Sequence, residues 1–238
     1  MKLDILAIGV HPDDVELSAS GTLLRHIAQG KKVGLLDLTR GELGTRGNAQ
    51  LRTIEAQASA QKMGAMVREQ LDLADGFFQH TEANLLKIIQ ILRKYQPEIV
   101  LANAITDRHP DHGRAAKLVS EACFLSGLVK IETKSAGKIQ APWRPKNSYH
   151  YIQDRALQAD LVVDVTEYMD KKLELIFTFK SQFYDPNSTE PMTPIASKDF
   201  IEYVRGRDST YGRLMGVAYA EGFTVARAPG VNDLFDLK

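Results

Sequence analysis

Short apolar runs alternate with stretches of helical spacing along the first half of the chain. Leu3 to Val10 is mostly apolar, as a strand buried on both faces requires. Asp14 to Gly30 has helical spacing, with Val15, Leu23, Leu24 and Ile27 apolar and Gly30 as a stop. Lys32 to Leu38 reads as a second strand. Thr39 to Asn48 holds three glycines and two arginines and reads as a long surface loop. Ala49 to Met63 is a second helix and Glu69 to Ala74 a third strand. A third helix runs from Thr81, its expected cap, to Tyr95, and Pro97 follows its end. Glu98 to Asn103 is a fourth strand, and Gly113 to Leu125 a fourth helix. This alternation predicts an α/β fold with a mostly parallel central sheet covered on both faces. In the commonest doubly wound order, 3-2-1-4, the first and fourth strands are neighbours, and a ligand binds beside their C-terminal ends.

The second half is less regular. Ser126 to Lys146, with a Pro-Trp-Arg-Pro turn, is expected as an excursion on the site side of the sheet, forming part of the pocket wall. Ser148 to Ile152 and Asp160 to Val165 read as strands, and Tyr168 to Phe179 as a helix. Asp185 to Pro194 carries three prolines and reads as an exposed loop or lid that completes the wall. Asp199 to Gly206 is helical and can resume toward Ala220, and Phe223 to Ala226 can form a last strand. With no repeat, low-complexity tract or boundary signal, residues 1–238 are expected to form a single domain.

Composition changes this picture little. The 238 residues balance 30 basic against 30 acidic side chains, which gives no long-range attraction to nucleic acid or an anionic membrane. The single cysteine, Cys123, cannot form an internal disulfide, so a cytoplasmic location is expected. No signal peptide or membrane span is legible.

The candidate chemistry lies where the first and fourth strands end. The first runs into His11-Pro12-Asp13-Asp14 and the fourth into Arg108-His109-Pro110-Asp111-His112. His11, Asp14 and His112 would make a two-histidine, one-carboxylate metal site of the kind that suits a catalytic zinc. Spacing alone leaves open whether Asp13 or Asp14 is the ligand; the other would serve as general base. His109, on the same face as His112, is then free to stabilise an oxyanion and protonate a leaving amine. Asp111 can hold one histidine ring by its other nitrogen. Each cluster alone is an ordinary turn; two at paired strand ends are not. His26, His80 and His150 stand alone and are expected to be structural or solvated. Arg40, Arg46, Arg52 and Arg108 lie at the same sheet edge, where arginine forks can receive carboxylates or phosphates. Arg40 and Arg46 are expected as solvated loop charges, and Arg108 as a substrate contact. Glu42 can accept hydrogen bonds from a sugar or hold Arg52.

At these residues the sequence resembles the LmbE-like, PIG-L-type de-N-acetylase family, in His11-Pro12-Asp13-Asp14, His109-Pro110-Asp111-His112, Arg40-Gly41-Glu42, Arg52 and Tyr219-Ala220-Glu221-Gly222-Phe223. Val15 stands between the second aspartate and Glu16, as in the bacillithiol-pathway branch. The resemblance implies a Rossmann-like three-layer fold, zinc (with ferrous iron as the alternative) on His11, Asp14 and His112, and Asp13 as general base. It implies His109 as stabiliser of the tetrahedral intermediate, with Asp111 orienting it. Arg52 and Arg108 would face the carboxylates of an acidic aglycone, N-acetylglucosaminyl malate, and homo-oligomers would be frequent. Three alternatives remain: a deacetylase of another N-acetylated sugar such as a chitooligosaccharide, a mononuclear iron oxygenase, and a nucleotide-binding module. The oxygenase triad belongs on an all-β barrel. The nucleotide module would need a glycine-rich turn where His11-Pro12-Asp13-Asp14 stands.

Overall fold

The computed structural model describes residues 1–237. The first half alternates as its pattern predicts: β1 (Ile5–Gly9), α1 (Asp14–Ala28), β2 (Val33–Asp37), α2 (Ala49–Met63), β3 (Val67–Gln70), α3 (Glu82–Tyr95), β4 (Ile99–Ala102) and α4 (Pro110–Leu125). A small hairpin of β5 (Lys134–Ser135) and β6 (Lys138–Ile139) precedes β7 (Asn147–Tyr151) and β8 (Leu161–Asp164). Then come α5 (Met169–Ile176), α6 (Phe200–Arg213) and β9 (Ala220–Val225). Seven strands form one sheet in the order β3-β2-β1-β4-β7-β9-β8. The strands from β3 to β7 are parallel, and β9 pairs antiparallel with β7 and β8. Among the described residues no helix is long and apolar enough to cross a membrane.

The unbroken apolar run of β1 follows from its central place. Leu6, Ile8 and Val10 pack with Ile88, Leu92 and Leu118 on one face. Ile5 and Ala7 pack with Val15, Leu23 and Leu175 on the other. A strand covered on both sides has no polar face to show in its sequence.

Three expectations need correction. The third strand lies at Val67–Gln70, ahead of Glu69 to Ala74. It is an edge strand, and the later apolar signal comes from Leu73, which is buried from a loop. Helix α4 starts at Pro110, not Gly113: Pro110 takes the first helical position and His109 caps it, its side chain accepting the Asp111 backbone N–H. The segment after α4 does not lie on the site side. Trp143 Nε1 donates to the Pro97 carbonyl, and Arg93 donates to the carbonyls of Ser126, Leu128 and Ile131. These contacts sit beside the start of β4. A helix leaving the C-terminal edge of a parallel sheet returns the chain to the opposite edge, so the connection into β7 must run there.

The Tyr219–Phe223 segment acts through Glu221, which is buried. Its carboxylate accepts the backbone N–H groups of Gly21 and Thr22 in α1 at 3.0 and 2.7 Å. Lys172 of α5, fully buried, lies 2.7 Å from Glu221 and 2.6 Å from Asp208 of α6. One ammonium thus ties α5 and α6 to β9, and through Glu221 to α1. Replacing it takes the cation away from buried Glu221, which keeps only its backbone N–H donors, and leaves Asp208 with Arg207 alone. Lys172→Met is therefore expected to lose about 3–5 kcal/mol of stability, measured by urea unfolding; a loss below about 1 kcal/mol would deny the ammonium that role.

Candidate active site

The turn after β1 is strained and clamped. Asp13 has φ 129° and ψ −21°, a backbone conformation that a side chain with a Cβ adopts only at a cost of about 1–3 kcal/mol. Arg52 of α2 holds it from outside: one Nη donates to the Pro12 carbonyl at 2.8 Å, the other to the Gly41 carbonyl at 3.3 Å. The same guanidinium lies 3.2 Å from Asp13 Oδ2. From inside, Asp14 Oδ2 accepts the His11 backbone N–H at 2.8 Å.

The two loops meet as the 3-2-1-4 order requires. His11 Nε2 lies 3.0 Å from Asp75 Oδ1 and 3.6 Å from Asp111 Oδ2. His112 Nδ1 lies 2.5 Å from Asp107 Oδ2. These carboxylates take the outer nitrogen of each ring and turn the other inward. The inward nitrogens, His11 Nδ1 and His112 Nε2, lie 3.8 and 3.2 Å from the Asp14 oxygens. The ring of His109 stands 4.7 Å from that of His11 and 5.3 Å from that of His112, centre to centre. Its Nδ1 accepts the Asp111 backbone N–H at 3.3 Å, which leaves Nε2 to carry the proton of the neutral ring.

The charge balance suits a cation. Asp13, Asp14, Asp75, Asp107 and Asp111 are all buried here. Burial by itself would lower the His11 pKa, but contacts with Asp111 and Asp75 and the charge of Asp14 push it up to about 10. His112 is pushed up to about 9, burial being outweighed by Asp14 and Asp107. Asp14 is held far below the carboxylate range, because the charges of His112 and His11 outweigh burial. Asp13 goes the other way. Burial pushes it up to about 7, against the pull of Arg52 and with the push of Asp14. His109 is lowered, by burial and then by the neighbouring histidine charges. Donor atoms of His11, His109 and His112 all lie within 4.8 Å of one another. Asp14 adds a carboxylate that faces His11 with one oxygen and His112 with the other, and imidazole nitrogens with a carboxylate are donors of the kind zinc takes.

These groups line a cavity of about 520 Å³, whose lining also includes Leu43, Phe77, Ile195, Phe200 and Tyr203. Residues 185–192 do not line it, but Thr193, Pro194 and Ile195 do. Arg46, expected as a solvated charge, is buried and bonded to the Ser181 and Pro191 carbonyls and Ser188 Oγ; it pins this segment to the 39–48 loop. Arg40 is exposed and paired with Asp72. Arg108 lines the cavity, its Nε 2.5 Å from Asp154 Oδ2.

Two expected contacts differ, those of Glu42 and Asp111. Arg52 borders the cavity; its Nη groups hold the Asp13 turn, and its Nε has no hydrogen-bond partner among the described residues. Glu42 does not hold Arg52; it accepts the backbone N–H groups of Asp75 and Arg40 at 2.9 and 3.2 Å. The Asp111 carboxylate faces His11, not His109, and is held by the Gly76 N–H and by Arg114. Four buried residues near the ligands escaped the sequence reading: Asp75, Asn103, Asp107 and Gln153. Each lies just past the C-terminal end of β3, β4 or β7. That position was their only signal in the sequence.

Because the folded chain holds protons on His11 and His112 that the unfolded chain releases near pH 6.5, stability in excess chelator is expected to fall as pH rises from about 6.5 toward 10. Asp13 acts in the same direction between about pH 4 and 7. Zinc replaces those protons, so its apparent affinity rises with pH over the same window. Urea midpoints across pH, with chelator and with zinc, test this; a flat chelator profile would remove the protons from the two rings.

Residues 6–123 match the family model described as PIG-L, GlcNAc-PI de-N-acetylase. The chain is 26% identical over 232 residues to the 4-oxalmesaconate hydratase of Pseudomonas putida, spanning 91% of this chain and 86% of that one. Among solved structures it is similar to the conserved protein TT1542 from Thermus thermophilus, at 30% identity and a TM-score of 0.86 over 98% of each chain. It shares the fold of the N,N'-diacetylchitobiose deacetylase from Pyrococcus horikoshii, at 24% identity and a TM-score of 0.79, over 98% of this chain and 88% of that one. The matched stretch runs from β1 into α4 and takes in both loops of the cavity, and the chain belongs to the PIG-L family.

Proposed function

We propose that this protein is a metal-dependent amide hydrolase that removes the acetyl group from an N-acetylated amino sugar. One observation carries the reading: a buried carboxylate held in a strained turn, Asp13, stands next to His11, Asp14 and His112 where they line a cavity. His11, Asp14 and His112 would hold the ion, zinc by donor set, with ferrous iron as the alternative. When bound, it polarises the acetyl carbonyl and makes water more acidic.

The chain's own groups supply the remainder. Asp13 takes the proton of a water as its oxygen adds to the acetyl carbon. A carboxylate placed beside the reacting water can take this proton and later return it. His109 Nε2–H donates to the carbonyl oxygen as charge develops there. Collapse breaks the C–N bond as Asp13 returns its proton to the nitrogen, so the free amine leaves with acetic acid, which ionises to acetate. Asp75, Asp111 and Asp107 keep the two ligand rings turned inward. Arg52 keeps Asp13 in its strained turn.

The finer reading is an acidic aglycone, with N-acetylglucosaminyl L-malate as the substrate. It rests on the resemblance to the bacillithiol-pathway branch and on Arg108 at the cavity wall. Asp154 already occupies Arg108, so a substrate carboxylate must compete with it. A second reading, water addition to an unsaturated acid, is favoured by the hydratase relative that spans most of the chain. It would use the same base and the same ion.

The test is primary amine released from N-acetylglucosaminyl malate and N,N'-diacetylchitobiose, beside consumption of 4-oxalmesaconate, each with and without chelator. Chelator-sensitive amine release is expected. Consumption of 4-oxalmesaconate without amine from either sugar would overturn the deacetylase reading in favour of the hydratase. Asp13→Asn should keep its zinc and lose about 10²–10⁴-fold in kcat; full activity would take Asp13 out of the chemistry. Arg108→Ala should lower kcat/KM for the malate substrate by about tenfold or more, while chitobiose turnover holds. Equal loss on both would remove the acidic aglycone.

A further inference from the structure

The surroundings of Asp14 treat its two oxygens differently. Oδ2 accepts the His11 backbone N–H at 2.8 Å and the Asn103 side-chain amide at 2.9 Å, with His11 Nδ1 farther off at 3.8 Å. Oδ1 accepts the Gln153 amide at 3.1 Å and lies 3.2 Å from His112 Nε2. The two amides are joined to each other. Asn103 Nδ2 donates to Gln153 Oε1 at 3.0 Å, and the Ala104 backbone N–H donates to the same oxygen at 3.1 Å. Asn103 follows β4 and Gln153 follows β7, the next strand in the sheet. Both side chains are buried. Behind them, His150 Nδ1 lies 2.8 Å from the Asn103 carbonyl, which fixes that backbone.

Neither amide can turn over. Flipping Gln153 would set its NH₂ group against two N–H donors. Flipping Asn103 would set its oxygen against those of Asp14 and Gln153. The arrangement has a cost: Asn103 Oδ1 is buried and has no hydrogen-bond partner among the described residues. An unpaired buried acceptor opposes folding, and a leucine of similar size would remove it. Against that cost, Asn103 Nδ2 supplies a donor to two buried acceptors, Asp14 Oδ2 and Gln153 Oε1. Its nitrogen is needed at Asp14.

We propose that Asn103 and Gln153 are positioning residues that decide which oxygen of Asp14 faces the metal. The proposal rests on the metal reading of the site and is independent of the substrate. Asn103 and the His11 N–H load Oδ2 with two donors, while Gln153 steadies Oδ1 beside His112 Nε2. A carboxylate held this way offers one oxygen rather than two. That leaves room at a catalytic ion for a water or a substrate oxygen.

The experiment measures zinc dissociation constants by competition with a chromogenic chelator. The full chain is compared with Asn103→Leu and Gln153→Met, each also in an Asp14→Asn background. Thermal unfolding is followed in excess chelator. Zinc should bind about 10–100-fold more weakly to either variant. The chelated unfolding midpoint reports the stability lost with these donors, and the Asp14→Asn background separates positioning from a purely structural role. In the Asp14→Asn background neither change should weaken zinc further. Affinity within about threefold of the unmodified chain overturns the proposal, as does an equal loss with Asp14 already replaced. If Asn103→Leu fails to fold, Gln153→Met alone decides between these outcomes. Zinc uptake by the unmodified chain without amine release would sink only the substrate reading. No zinc uptake at all would sink both.

Discussion

Negative charge taken out of water is the constraint around which this protein is built. Asp13, Asp14, Asp75, Asp107 and Asp111 lie buried around three imidazoles at the C-terminal edge of the sheet. Isolated carboxylates would not survive there ionised; they would take up protons or pull the fold open. The protein answers each one separately. Asp75 and Asp111 share His11, Asp107 and Asp14 share His112, and Asp111 also has Arg114. Asp13 receives only the guanidinium of Arg52, and it alone of the five is pushed up toward neutrality. The group least well compensated is the one best suited to exchange a proton near pH 7.

The scaffold behind this edge is held by further buried ion pairs. Arg68 of β3 bonds both oxygens of Asp37 at 2.7 and 2.8 Å and reaches Glu16 of α1 at 2.5 Å. Lys172 does the same for Asp208 and Glu221 on the far side of α1. Helix α1 is thus gripped on two sides close to the turn that carries Asp13 and Asp14. Buried pairs like these add little net stability compared with apolar packing. They do restrict how α1 can sit, and the strained φ of Asp13 persists only where its surroundings are fixed.

The cavity wall shows a different logic. Its lining mixes polar side chains, most of them already bonded, with apolar ones. Arg40, Arg46, Arg52 and Arg108 are all engaged by the protein itself. An acidic ligand group at Arg108 would have to displace Asp154. Phe77, Ile195 and Phe200 add apolar lining to the same cavity.

Local pattern was enough for the strands and helices of the first half, their order in the sheet, and the meeting of the two His-Pro-Asp loops. Apolar periodicity and crossover handedness act over a few residues or one βαβ unit, so the chain itself carries them. Other features depended on where distant segments came to lie. The return segment after α4 went to the opposite edge because the crossover demands it, although its glycines and prolines resemble those of a site loop. Arg46 and Arg52 became internal clamps because the carbonyls they bond, at residues 181, 191, 12 and 41, arrive from other loops. Asp75, Asp107, Asn103 and Gln153 acquired their places at the ligands in the same way. A hydrogen bond is made by position in space, and residues dozens of places apart acquire that only when the sheet is assembled.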